Sequence, residues 1–328
     1  MKKDSTNQVS KKVIPNNTFS SNKVPSKDNS VIQLKSDIED LSYENNKFIS
    51  VGSLGKLLTS IDGINWHEMI QGSPWTINSI AWGAKRYVGV GDQGITLTSE
   101  NGTDWAFTDT GTGNDLRDVI WDGHQFVACG NGFVFKSEKG IGWTKVELPK
   151  VSLDNGSGED KTYDASVIFY DGKQYIVTGG GNFILTSPDL KKWAVRIPDS
   201  MGTGSFCDLA WNGKQYVGVG DHLALVTSSD GQNWDINGSI DKIESVDDYY
   251  TLCLNSVAWG KDKFVAVGQR GLIITSDDGI KWTIVPSITR KYLNKVVWDG
   301  KKFIAAGDAE TIITSADGVN WKVVNGGQ

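Results

Sequence analysis

Short apolar stretches separated by glycine-containing polar turns recur along the whole chain. In the last such region, residues 302–307 and 311–315 are almost wholly apolar, and 295–298 and 321–324 flank them. Val, Ile, Thr and aromatic residues favour strands, and short apolar runs without clean alternation indicate strands buried on both faces. Asp317-Gly318, between two of these runs, is typical of a tight hairpin. We predict four strands here, called A to D in chain order.

This four-strand unit occurs seven times. Its C–D turn reads Ser-x-Asp-Gly-x-x-Trp, and the copies end at Trp66, Trp105, Trp143, Trp193, Trp234, Trp282 and Trp321. An aromatic residue at the end of strand A precedes each copy, namely Tyr43, Trp82, Trp121, Tyr170, Trp211, Trp259 and Trp298. The interval between the two aromatics is 23 residues in six units and 22 in the third, which indicates a rigid repeated unit. Length variation is confined to the D–A connections.

Seven such units predict an all-β fold, a seven-bladed β-propeller with four antiparallel strands in each blade. A solenoid of stacked sheets is the alternative, but a solenoid needs distinct caps, and the first and last units are ordinary. The blades are expected near residues 38–70, 77–109, 116–148, 165–197, 206–238, 254–286 and 293–325. No strand exchange between the ends is evident, although Val31–Leu34 could add an edge strand. Residues 1–35 predict a disordered tail ahead of a propeller over 36–328.

The repeated turn carries a family resemblance. Together with strands such as Phe264–Gly268, it resembles the BNR/Asp-box repeat, and residues 36–328 are similar to bacterial BNR-repeat propellers and to photosystem II stability/assembly-factor propellers. The turn departs from the sialidase-type Asp box by one residue, because Gly directly follows Asp. Asn101 and Lys139 replace the Asp of two copies, and Leu190 replaces a Gly. The resemblance implies the fold, but this scaffold hosts hydrolases, assembly factors and receptor domains, so it does not select a function.

Alternating strand direction sorts the connections onto two faces. The A–B and C–D turns share one face, and the B–C turns and D–A connections share the other. The long D–A insertions, residues 149–166 and 236–255, therefore emerge on the second face, where binding is expected because long loops on a rigid scaffold often bind ligands. The terminal tryptophans, repeated at a fixed register, are predicted to pack between blades.

Candidate binding residues are sought on that second face. Trp75 stands outside the repeat register, and the insertion before unit six pairs tyrosines with acids, a composition favoured at interfaces; a solvated loop packed on a blade is the alternative. A glycosidase would need two converging carboxylates, which sequence alone cannot place. The candidate binding residues are Trp75, Asp92, Asp221, His222, Arg270, Asp308, Asp247, Asp248, Tyr249 and Tyr250, with Asp160, Asp164, Glu244 and Glu310 as further carboxylates.

Composition and motif positions argue against several classes of function. The net charge of -6 argues against a nucleic-acid binder, and no apolar run is long enough to span a membrane. The three histidines, His67, His124 and His222, lie in different units without ligand spacing, so neither a metal nor a cofactor is expected. Arg196-Ile197-Pro198 imitates a sialidase motif, but it stands in strand D of a middle unit, which argues against a sialidase.

Cysteine usage and the N-terminus leave two questions open. Cys129 replaces a valine of the strand repeat and is predicted to be a small buried apolar residue. Cys207 and Cys253 lie near the starts of equivalent strands in adjacent units, so a disulfide and two free thiols are both open. Met1-Lys2-Lys3 resembles the start of a signal peptide, but the apolar segment that should follow is missing. A cytoplasmic protein and an exported one that lost its signal both remain possible.

From these patterns we expect a monomeric, non-catalytic propeller. Its partner is expected to be a protein or peptide, preferentially one with a basic patch because of the acids on the binding face. A glycan-binding module or a glycoside hydrolase using carboxylates such as Asp92, Asp221 and Asp308 on the same face is the alternative.

Overall fold

Seven antiparallel sheets make up the fold in the computed structural model. It describes residues 35–70, 73–149, 163–180, 183–196, 205–241 and 252–325. Every sheet contains four strands in the order A-B-C-D, the sheet of blade 6 has a fifth strand beside strand D, and no α-helix occurs in these ranges. The prediction of a seven-bladed β-propeller with four antiparallel strands per blade is confirmed. The predicted tail, and Val31–Leu34 within it, precede the described residues.

The strands follow the repeat closely. Strands A of blades 1 to 7 are Ile38–Glu44, Ile77–Gly83, Asp118–Trp121, Asp164–Tyr170, Phe206–Trp211, Leu254–Gly260 and Leu293–Trp298. Strands B are Lys47–Gly52, Arg86–Gly91, Phe126–Gly130, Tyr175–Gly180, Tyr216–Gly220, Lys263–Gly268 and Phe303–Gly307. Strands C are Leu57–Ser60, Ile95–Ser99, Phe133–Ser137, Ile184–Ser187, Leu225–Ser228, Ile273–Ser276 and Thr311–Ser315. Strands D are His67–Ile70, Ala106–Asp109, Thr144–Val146, Ala194–Arg196, Asp235–Ile236, Lys281–Val285 and Trp321–Asn325.

Blade 6 departs from the pattern. Ser239–Asp241, expected to be part of a D–A loop, forms a fifth strand parallel to Lys281–Val285, the outer strand of that blade. An outer strand presents unpaired backbone groups, and the added strand satisfies some of them. Ile240 packs against the apolar cluster between blades 5 and 6.

The core lies between the blades. Each seam, meaning the interface between two neighbouring blades, holds one apolar cluster in the described part of the chain. Between blades 5 and 6, for example, Val217 and Val219 meet Phe264 and Trp282, all fully buried. Every terminal tryptophan contacts such a cluster, so the prediction that these residues pack between blades is confirmed. Cys129 is also buried, as predicted.

Strands A of neighbouring blades pack on one another around the central axis. In each strand A, one residue stands three positions before the repeated aromatic. These seven residues form a set that we call the channel ring: Asp40, Ser79, Asp118, Val167, Asp208, Ser256 and Lys295. Five of these side chains accept a hydrogen bond from a backbone N–H of the next blade, through the pairs Asp40–Ile80, Ser79–Val119, Asp118–Ile168, Asp208–Val257 and Ser256–Val296. The ring therefore links blades side by side, and Val167 interrupts it.

The ring of blades closes without strand exchange in the described residues, because strand A of blade 1 pairs with strand B of its own blade. Side chains join blade 7 to blade 1 instead. Asn294 donates to the Ile38 carbonyl at 2.9 Å, and Lys302 donates to the Asp62 carbonyl at 2.5 Å. A backbone hydrogen bond, from the Glu310 N–H to the Ser36 carbonyl at 3.0 Å, also joins the two blades.

The C–D turn has two roles. Within a blade, the carboxylate of Asp62 accepts the N–H groups of Ile64 and Asn65, each at 2.8 Å, and so clasps the turn. Between blades, a backbone carbonyl of the turn accepts a side chain from the preceding blade, through the pairs Lys47–Asn101, Arg86–Lys139, Gln174–Asp230, Gln215–Asp278, Lys261–Ala316 and Lys302–Asp62. The repeated turn therefore also links neighbouring blades by hydrogen bonds.

Candidate functional site

The B–C turns and D–A connections surround one end of the channel, which we call the mouth. Five B–C turns are short 3-10 turns: Ser53–Gly55, Asp92–Gly94, Asp221–Leu223, Gln269–Gly271 and Asp308–Glu310. Hydrogen bonds tie these turns to the D–A connections; Asp92 N–H, for example, donates to the Thr76 carbonyl at 3.0 Å. The glycine before each turn is required by this close approach, because a Cβ on Gly91 would lie 2.1 Å from that carbonyl oxygen.

The centre of each 3-10 turn has a left-handed backbone conformation although no centre is glycine. The five centres are Leu54, Gln93, His222, Arg270 and Ala309, with φ between 53° and 57°. This conformation costs a non-glycine residue about 1 kcal/mol. Because five different side chains adopt it, the backbone frame of the mouth is fixed while the displayed side chain varies.

A recess of about 320 Å³ opens at the mouth between blades 1, 2 and 3. It is lined by Glu39, Asn78, Asp92, Asp115 and Arg117. Three carboxylates and one guanidinium give the lining a negative balance. The recess, which we call the mouth recess, is large enough for a single side chain of a partner.

Some acids of the mouth recess have structural partners. Asp92 accepts the N–H of Thr76 at 3.1 Å and the amide of Asn78 at 3.3 Å. Asp115 accepts the N–H of Gln93 at 2.9 Å, which links the B–C turn of blade 2 to the start of blade 3. These bonds hold both carboxylates in place, so the recess is pre-organised.

Glu39 is the half-buried acid of the mouth recess. Its carboxylate accepts a hydrogen bond from Ser53 Oγ at 3.1 Å. Burial raises the pKa of Glu39, and the nearby charges of Asp37, Asp308 and Asp92 add to the rise while Ser53 opposes it. Like charges at short range destabilise one another, so a cation at this position would relieve the repulsion.

Two cationic side chains at this end of the channel pair with carboxylates: Arg117, which lines the recess, and Lys56, which is buried. Arg117, which is exposed, pairs with Asp164 at 3.5 Å. Lys56 bridges Glu310 of blade 7 and Glu68 of blade 1, both at 2.7 Å. The cations thus already have carboxylate partners, and the interior of the recess keeps its acidic character.

The structure brings together some of the predicted residues and separates others. Asp92 lines the mouth recess, and Asp308 lies near enough to affect the pKa of Glu39. Asp221 lies apart, beside the thiol of Cys207. His222 and Arg270 are exposed turn centres. Two predicted groups lie outside the described residues: the acids Asp160 and Glu244, and the set Asp247, Asp248, Tyr249 and Tyr250.

Trp75 has a packing role. It is half-buried and contacts the apolar cluster between blades 1 and 2. It does not line the mouth recess.

Four of the five recess residues, Glu39, Asn78, Asp115 and Arg117, were not among the predicted candidates. Three of them occupy the same position, directly before a channel-ring residue, where the strand repeat turns from apolar to polar. Polar residues at this fixed register of the strand A starts are the sequence signal that marks them.

Other kinds of site find no support in the described residues. No group of three His, Cys, Asp or Glu side chains there could hold a metal ion. Helices long and apolar enough to cross a membrane are likewise not found in the described parts of the chain.

The comparison with known proteins concerns the fold. Neither a family model nor a curated protein sequence matches the chain. Among solved structures, the chain is similar to YCF48 bound to a D1 peptide, with 14% identity over 87% of this chain and 93% of that one, at a TM-score of 0.65. YCF48 from Cyanidioschyzon merolae matches with 17% identity over 87% and 96%, at a TM-score of 0.66. The β-propeller domain of Cps50 (Swd1) from Myceliophteria thermophila matches with 11% identity over 88% and 99%, at 0.65. At these identities the likeness shows a shared propeller fold.

Proposed function

We propose that the chain is a non-catalytic propeller that binds a protein or peptide at the mouth. The observation that carries the proposal is the mouth recess, where the half-buried Glu39 lies among further carboxylates. A lysine or arginine side chain of a partner seated there would neutralise this charge. The likeness to a propeller with a peptide bound, YCF48 with a D1 peptide, supports this use of the scaffold.

Exposed apolar side chains in the turns and connections of the mouth support the same proposal. Leu54 of blade 1 and Tyr292 of the connection to blade 7 belong to the mouth and are 56% and 41% exposed. Ile288, in the same connection, is 38% exposed. Interfaces combine exposed apolar anchors with a few charged groups, and the mouth as a whole offers both. We therefore propose a partner segment with a basic residue next to apolar ones.

A library of peptides that pair one Lys or Arg with apolar residues tests the proposal. Binding is measured by fluorescence anisotropy for the chain and for Glu39→Gln with Asp115→Asn. We expect the double variant to weaken binding about tenfold or more, because it removes two charges from the mouth recess. The matched control is Glu100→Gln with Asp277→Asn, which changes the net charge equally at exposed positions near the C–D turns of the other face.

Equal weakening by both double variants would indicate non-specific attraction and contradict the proposal, as would no weakening by either. Replacing Asp247, Asp248, Tyr249 and Tyr250 together extends the test to the insertion between blades 5 and 6. Loss of binding there with an intact fold would include the insertion in the interface.

A glycoside hydrolase is the second candidate. It is favoured by one observation, a carboxyl group with a raised pKa, Glu39, in a recess with a second carboxylate, Asp92. No aromatic side chain lines the recess to stack on a sugar. Hydrolysis of chromogenic glycosides that disappears in Glu39→Gln would favour this candidate over peptide binding.

A further inference from the structure

Two cysteines meet at the mouth, on the seam between blades 5 and 6. Cys207 stands in strand A of blade 5, directly before the channel-ring residue Asp208, and Cys253 directly precedes strand A of blade 6. Both are free thiols of intermediate exposure. They belong to blades 5 and 6, whereas the mouth recess is lined by residues of blades 1 to 3.

The repeat explains why these two thiols are neighbours. In blade 2, Asn78 occupies the position of Cys207; its amide donates to Asp92 of its own blade and to the Leu116 carbonyl at the start of strand A in blade 3. Asn294 of blade 7 makes the same two bonds, to Asp308 and to the Ile38 carbonyl of blade 1. This position therefore bridges its own B–C turn and the first residues of the next blade.

At the seam between blades 5 and 6 the amide bridge is replaced by thiols. Cys207 Sγ lies 3.9 Å from Asp221 Oδ1, the carboxylate equivalent to that of Asp92. The same Asp221 carboxylate also raises the pKa of the Cys253 thiol, after burial. Both thiols therefore lie in the electrostatic range of one carboxylate at this seam, and the charge of Cys253 also acts on Cys207.

We propose that Cys207 and Cys253 are a reversible oxidation site that forms a disulfide between blades 5 and 6 when the protein meets a low-molecular-weight disulfide such as glutathione disulfide. In the first step, one protein thiolate attacks the reagent and releases one glutathione thiolate. In the second, the other protein thiolate attacks the mixed disulfide and releases the second. Two protein thiols are thereby oxidised and one glutathione disulfide is reduced to two glutathione molecules, so atoms and electrons balance.

The surroundings set the order and the rate of these steps. Burial, and next the charge of Asp221, raise the pKa of Cys207 to about 12. Burial and the hydrogen bond to Asp221 raise the pKa of Cys253 to about 11. The thiolate is the attacking form, so Cys253 attacks first and Cys207 resolves the mixed disulfide. Asp221 acts as a positioning residue that keeps both thiols protonated and slows the reaction.

Oxidation of the full chain by glutathione disulfide at pH 8.5 tests the site, with mass spectrometry and non-reducing peptide mapping. We expect the chain to lose two hydrogen atoms in mass, a single link between the peptides of Cys207 and Cys253, and a higher melting temperature. Cys129, fully buried, serves as the internal control and stays reduced. The variants Cys207→Ser and Cys253→Ser should each retain one bound glutathione, because the resolving thiol is gone.

Three results would overturn the proposal: glutathione left on the unaltered chain, links between chains, or no reaction while the denatured chain oxidises. The role of Asp221 has its own readout. In Asp221→Asn we expect faster oxidation, by about threefold for each unit by which the thiol pKa falls, since a lower pKa gives more thiolate but a weaker nucleophile. Asp277→Asn, exposed on the other face, is the control and should leave the rate unchanged. An unchanged or slower rate in Asp221→Asn would contradict the positioning role.

Discussion

The seam between blades 7 and 1 and the seam between blades 4 and 5 are built differently. At the first, Lys295 lies 3.8 Å from Asp40 across the seam, and the amide of Asn294 and the ammonium of Lys302 donate to carbonyls of blade 1. At the second, Val167 interrupts the channel ring and packs with Phe206 in an apolar cluster. Blades 4 and 5 are also joined by the chain, whereas blades 7 and 1 are not. Hydrogen bonds from Gln174, Tyr216 and Ser166 also cross the second seam. In the described residues, the seam without a covalent connection differs by its ion pairs, Lys295 with Asp40 and Lys56 with Glu310.

Lys295 gives the closing seam its electrostatic character. Its ammonium approaches Asp208 at 3.4 Å as well as Asp40, so it ties blade 7 to blade 5 and to blade 1. Burial by itself would lower the pKa of Lys295, but the carboxylates of Asp208, Asp40 and Asp118 raise it above its ordinary value. The lysine therefore stays charged and balances acids that would otherwise repel one another.

Among the variants that test the difference between the two seams, Lys295→Met should lower the stability of the chain most. It leaves three carboxylates around the channel without their cation, and we expect a loss of about 3 kcal/mol in the free energy of unfolding, measured by urea denaturation. Lys322→Met, at an exposed position of strand D in the same blade, should stay within about 0.5 kcal/mol. A loss below about 1 kcal/mol for Lys295→Met would show that the closing seam does not depend on this charge.

A reciprocal pair of variants sharpens the comparison within the channel ring. The hydroxyl of Ser79 lies between Asp40, at 3.0 Å, and Asp118, at 2.9 Å. Ser79→Val removes the one hydroxyl proton that these two carboxylates share, and also the acceptor of the Val119 N–H, and should cost about 2 kcal/mol. Val167→Ser should change stability by less than about 1 kcal/mol, because a new hydrogen bond offsets lost apolar burial. Equal costs in the two variants would mean that the polar and apolar positions of the ring are interchangeable.

A smaller effect is expected from pH. Burial raises the pKa of Asp118 to about 6, although Lys295 opposes the shift. The unfolded carboxyl has a pKa of about 3.9, so between about pH 4 and 6 the folded chain binds the extra proton and loses stability as the pH rises. The stability of the chain relative to Asp118→Asn should therefore fall across this window and level off above it.

Denaturation of both proteins at several pH values measures this difference. The clasping aspartates of the C–D turns, such as Asp230 with a pKa lowered to about 2, are common to both proteins and cancel. If the stability relative to Asp118→Asn rose between pH 4 and 6, the pKa of Asp118 would be lower in the folded chain than in the unfolded chain, which would contradict the prediction.

The sequence predicted the fold far better than the site. Repetition specified the blades, because each Trp and each apolar strand packs in the same way seven times. The mouth recess depends on which three strand starts converge. Polar residues such as Glu39 and Arg117 stand just before the predicted strands A, inside the predicted blades, where no loop signal marks them. The fifth strand at Ser239–Asp241 was missed for a related reason: pairing with the outer strand of blade 6 is a tertiary contact, and three residues give no periodic signal.

Closure by hydrogen bonds without strand exchange bears on the order of folding. Every blade is built from one continuous stretch of chain, so the sheets and the first six seams need only contacts between neighbours in sequence. The contact between Asn294 and Ile38 spans 256 residues, and it belongs to the one seam that must join distant parts of the chain. The entropic cost of bringing the ends together is thus concentrated in a single late step, which should form the slow phase of folding.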